Sequence, residues 1–168
     1  MTPTAMAAPT LDLKSEALKQ IAATRKFFER GTRALEEKDS GFRATPETMT
    51  VAGQVAHVAQ TLDWFREGGF EDRWRTDWEA MIDETARVAS LAEARRWLEA
   101  AWERLRAAVE AMPAERLAET MAENPILPVR PRFTTLDGIV DHCAHHRGAL
   151  AVYTRLLGRV PPMPYGED

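Results

Sequence analysis

The sequence predicts an all-α fold, a four-helix bundle with one long crossover connection, and three observations carry that prediction. Ala, Leu, Glu and Arg dominate the composition while Val and Ile runs are scarce, a balance that favours helix over strand. Four stretches carry apolar residues at helical intervals, each bounded by a cap signal, a glycine or a proline. The links between them are polar, and one is long enough to cross the bundle. With 168 residues, 45% hydrophobic and 29% charged, the chain can build one ordinary core. We assign residues 11–168 to that single domain and residues 1–10, MTPTAMAAPT, to a loose polar leader.

The first helix is expected from about Leu11 to Glu37, with Leu13, Leu18, Ile21, Phe28 and Leu35 recurring on one side. Gly41 and Pro46 then mark a loop. The second starts near Thr48 or Thr50, either able to cap it, and runs to Gly68-Gly69 with Val51, Val55, Val58, Leu62 and Phe65 as its apolar stripe. The Trp-rich, charged stretch GGFEDRWRTDWEAMIDETARVA reads as the long crossover, with room for a short helix. Ser90 and Glu93 have capping-box spacing and open the third helix, which turns Leu91, Ala94, Leu98, Ala101, Leu105 and Val109 inward before Pro113. PAERLAET can form one more turn of helix, and the prolines of MAENPILPVRPRF then forbid regular structure. The fourth helix starts at Thr134, with Asp137 near its positive end, and stops at Gly158.

Composition also excludes partners. A formal charge of −4 and the lack of a basic stripe speak against nucleic acid, whose phosphates demand concentrated cations. No 18-residue apolar run exists to cross a membrane. The leader lacks the basic region and apolar run of a secretory signal, and Cys143, the single cysteine, can form no intrachain disulfide; a cytoplasmic location is expected.

Three of the four histidines fall within five residues. At about 100° per residue, His142 and His146 lie about 40° apart around the helix and one turn apart along it. That i, i+4 pair lets two imidazoles converge on one ion. Both fall within or beside the stripe of Ile139, Cys143, Leu150, Tyr153 and Leu157, whereas His145 projects to the flank. A polar pair on an apolar stripe costs stability unless something satisfies it. A third ligand must come from elsewhere. His57, near the middle of the second helix, is available, although it sits beside Gln54, Thr61 and Trp64, off the centre of its stripe, and must reach the core from a flank. Gln54, three residues before His57, could hydrogen-bond an imidazole. Trp64 and Tyr153 read first as core aromatics, Arg147 as a salt-bridged residue, and Cys143 as a small buried hydrophobe rather than a competing ligand.

These residues resemble a known family. HCAHHRGALAVYTRLLGRVPPMPYG is similar to the C-terminal signature of the DinB-like family: histidine, three residues, His-Arg-Gly, then an apolar helix ending Leu-Gly before a proline pair. TMTVAGQVAHVAQTLDWFREG resembles that family's second helix with its single histidine, 85 positions before His142. The resemblance spans about residues 14 to 165. It implies a four-helix bundle holding one divalent metal ion, zinc or nickel, between His57, His142 and His146, with homodimers common. Ala149 departs from the Gln that often follows the Arg-Gly pair, a difference beyond the ligands.

Three neutral imidazoles with an open position describe a catalytic rather than a structural metal. The enzymes in question include thiol-dependent transferases, so the resemblance implies transfer of a low-molecular-weight thiol onto a small electrophilic substrate. A non-catalytic metal-stabilised bundle and a metal-dependent hydrolase are the alternatives. Other chemistries lack their residues: no Glu stands three before any histidine as a di-iron site requires, and there is no His-Glu-x-x-His, haem attachment or phosphate loop.

Overall fold

Apolar periodicity becomes six α-helices among the described residues, 12–124 and 126–166 of a computed structural model. They are α1 (Leu13–Thr32), α2 (Val51–Phe65), α3 (Trp78–Ala86), α4 (Leu91–Ala111), α5 (Ala114–Ala118) and α6 (Thr135–Leu156). The expected leader, residues 1–10, lies outside them. No described helix is long and apolar enough to cross a membrane.

Four long helices make the bundle. α2 and α4 pack side by side, as do α4 and α1, α1 and α6, and α6 and α2, so α1 faces α2 across one diagonal and α4 faces α6 across the other. Leu91, Ala94, Leu98, Ala101, Leu105 and Val109 of α4 are all buried, as their spacing required. Each large one contributes about 1.5–3 kcal/mol through its removal from water. Ser90 caps α4 by accepting from the Glu93 amide, and Thr50 rather than Thr48 caps α2, accepting from Gly53.

Two helix ends differ from expectation. α1 stops at Thr32 rather than near Glu37: the chain turns at Arg33, and a 3-10 turn follows at Glu37–Asp39. Leu35 remains buried without being helical, so its place in the periodic pattern reflects burial, not backbone. Thr134 precedes α6 but does not cap it, because its hydroxyl donates to the Pro131 carbonyl instead. The C-terminal end is as expected, with Gly158 at φ +77°, the left-handed conformation that glycine adopts without strain.

The crossover carries the short helix α3 and covers the outer side of α2. Gln60 donates to the Met81 carbonyl and Glu84, and the Trp64 indole donates to the Arg75 carbonyl at 2.8 Å while its ring lies 4.4 Å from that of Trp74. The turn leaving α2, Arg66–Phe70, is π-helical. Its glycines are required by close approach: a Cβ on Gly68 would meet Trp74 at 2.2 Å, and one on Gly69 would meet Thr135 at 2.3 Å. Buried Arg132 fastens this turn to the start of α6, donating to the Gly69 carbonyl and to both oxygens of Asp72. The segment from α4 to α6, residues 112–134, is similarly long and carries α5.

Candidate metal site

α2 and α6 build the site, and Gly138 sets how near they come. A Cβ there would lie 2.9 Å from Phe65 of α2, closer than packed carbons tolerate. Along α6 from that contact stand His142 and, one turn further, His146. The ring centroids are 4.6 Å apart for His142–His146, 4.9 Å for His57–His142 and 5.0 Å for His57–His146. One ring nitrogen from each lies within 4.8 Å of the other two, so the three side chains can hold a metal ion. The three residues singled out from the sequence therefore meet.

His57 reaches the cluster although it is off the Val51–Phe65 stripe, because α2 has no solvent face. Of its residues only His57 and Asp63 escape full burial, α3 and the crossover having covered the side opposite the bundle core. His57 lies on the side of α2 that meets α6. A helix wheel that assumes one buried face could not place it.

Electrostatics keep the rings neutral. Burial pushes His142 down to about 3, with neighbouring His146, His57 and His145 adding to the effect. Burial likewise lowers His146 to about 4 and His57 below its usual value. Neutral imidazoles are what a metal requires, since a proton on the ligand nitrogen competes with the ion. Nε2 of His142 is buried without a hydrogen-bond partner, a costly condition for a polar atom. An unpartnered nitrogen and a three-imidazole donor set both fit a borderline-soft divalent ion.

The other candidates divide. Gln54 is buried and its Oε1 lies 3.2 Å from Nδ1 of His146, the contact anticipated from its position. His145 is exposed, its ring 4.9 Å from that of His146. Tyr153 donates its hydroxyl to the Met49 carbonyl and stacks edge-on with Phe42, and Trp64 is engaged by Trp74 and Trp78, so both serve packing. Arg147 forms no ion pair among the described residues; its guanidinium lies over the Phe27 and Tyr165 rings and bonds the Tyr165 hydroxyl. Cys143 is buried with its thiol pushed up to about 12 by burial, which keeps it a packing residue. Sequence reading missed the Gly138–Phe65 contact, for which an unexplained glycine inside a helix was the available signal.

Comparison with known proteins agrees with the fold. The sequence pattern of the DinB family matches residues 6–168. The chain belongs to the DinB family. A crystal structure of a protein from Streptococcus pneumoniae superposes on this DinB chain with a TM-score of 0.68, over 90% of this chain and 95% of that one. Their sequences are 14% identical, so the likeness speaks to the fold. No curated protein matches the chain.

Proposed function

We propose that the protein binds one divalent metal ion, zinc or nickel, through His57, His142 and His146, and uses it to transfer a low-molecular-weight thiol onto a small electrophile. The observation that carries this reading is the meeting of three uncharged imidazoles with an unpartnered buried Nε2 on His142. When bound at such a site, the ion supplies Lewis acidity, lowering the pKa of a thiol or water so that its anion exists at neutral pH.

The chain's own residues would contribute position. α6 presents two donors one turn apart, and α2 brings the third across the seam that Gly138 narrows. His57 and His142 are only partly buried as residues, although Nε2 of His142 is itself buried. No carboxylate belongs to the cluster among the described residues, and the histidine beside it, His145, is exposed. That favours a thiol, acidic enough to be ionised by the ion alone, over hydrolysis assisted by a carboxylate base.

Elemental analysis of the purified, untagged protein is expected to give about one metal per chain. A protein that stays metal-free after reconstitution with zinc and with nickel sinks the proposal. Incubating holoprotein with a panel of thiols and electrophiles, and following thiol consumption, separates the alternatives. Turnover of esters or amides with inertness toward every thiol points to a hydrolase, and inertness toward all of them to a metal-stabilised bundle.

A further inference from the structure

We propose that Gln54 holds His146 in its Nδ1–H tautomer, so that Nε2 is the atom this ring presents to the cluster; the inference rests on the metal-site reading above. A neutral imidazole carries one proton, and the hydrogen bond made by one nitrogen decides which nitrogen keeps its lone pair. In His146 the bonded nitrogen is Nδ1, 3.2 Å from Oε1 of Gln54. An amide oxygen only accepts, so the proton resides on Nδ1 and the lone pair is left on Nε2.

The surroundings make this a fixed arrangement. Gln54 is 4% exposed and His146 8% exposed, so water does not compete for either partner. Gln54 lies one turn before His57 on the same side of α2, so a single helix supplies both a donor to the cluster and the acceptor that orients a donor from α6. The opposite arrangement, with the amide N–H donating to Nδ1, would put the His146 proton on Nε2 and leave this neutral ring no lone pair free for an ion. Gln54 is therefore a positioning residue: it acts on the site through His146 and would not touch the ion.

Such partners of metal-bound histidines are typically worth 10–100-fold in metal affinity. The first measurement is long-range nitrogen–proton NMR on the metal-free wild type near pH 8. His146 is expected to show a protonated Nδ1 and an unprotonated Nε2; the reverse pattern overturns the proposal. Zinc affinity by chelator competition comes second. Gln54→Leu is expected to lose about 10–100-fold and its Nδ1–H signature, while Gln54→Glu, which can only accept, keeps both. A Gln54→Leu protein that folds and binds zinc like wild type overturns the proposal, as does a Gln54→Glu protein that loses affinity like the leucine variant. Wild type with the expected tautomer but no affinity for zinc or nickel upholds the role of Gln54 and overturns the metal reading, so the two failures are distinguishable.

Discussion

The two residues of α2 that escape full burial sit at seams of opposite character. Asp63, facing α4, is saturated: Arg104 reaches it with two nitrogens at 2.8 and 2.6 Å, Trp97 donates its indole N–H at 3.2 Å, and Arg66 lies at 3.5 Å. His57, facing α6, meets imidazoles that are as uncharged as itself, and Nε2 of His142 among them has no partner. A polar seam that satisfies itself joins two helices. One that leaves an imidazole nitrogen unpartnered beside two more imidazoles offers donors that a metal ion could use. The same helix carries both, so burial alone cannot tell them apart; the charge of the groups that each residue meets can.

Removing a ligand tests the contrast hardest. His146→Ala is expected to lower metal content from about one per chain to almost none. The stabilisation given by zinc at a hundredfold excess over its Kd, about 5–10 °C in Tm, should vanish with it. Retained metal in this variant breaks the comparison. Acidification comes next. The folded-state pKa values of His142, about 3, and His146, about 4, lie below the ordinary value near 6.5 of the unfolded chain. Between those limits the unfolded chain binds more protons, so the metal-free protein is fully stabilised above pH 6.5 and loses stability as pH falls toward 4. Urea unfolding at stepped pH reads this, and a flat profile contradicts neutral, buried rings.

Smaller effects sharpen the distinction. Asp63→Ala should cost about 1–3 kcal/mol, the penalty for stripping an acceptor from its donors, and leave zinc affinity unchanged; a shared loss would mean that the seams are coupled. Gly138→Ala should cost about 1–3 kcal/mol through overpacking against Phe65 and weaken zinc binding as well, since it separates the helices that carry the ligands. Gly148→Ala on the same helix meets nothing within 4 Å and should stabilise by about 0.5–1 kcal/mol, with affinity unaltered. Calorimetry alongside chelator competition distinguishes this pair.

Much of this was legible in the amino-acid order. The spacing of α4 disclosed its inward face, the i, i+4 histidines disclosed half the site, and a glutamine three before His57 hinted at its neighbour. Periodicity misled where burial and backbone part company: Leu35 is buried yet lies beyond the end of α1. It was also blind to the second cover on α2, because Trp64 and Gln60 find their partners in a segment with mixed periodicity. The closeness of α2 and α6 at Gly138 depends on a contact between positions 73 residues apart, which no local pattern encodes.

The diagonal placement of α1 and α2 has a consequence for the nascent chain. Every bundle partner of these two helices lies later in the sequence. At about 5–20 residues per second, the ribosome leaves α2 without α4 for several seconds and without α6 for longer. The helix with the least polar surface is thus the one kept waiting, and its histidine has no companions until synthesis is nearly done.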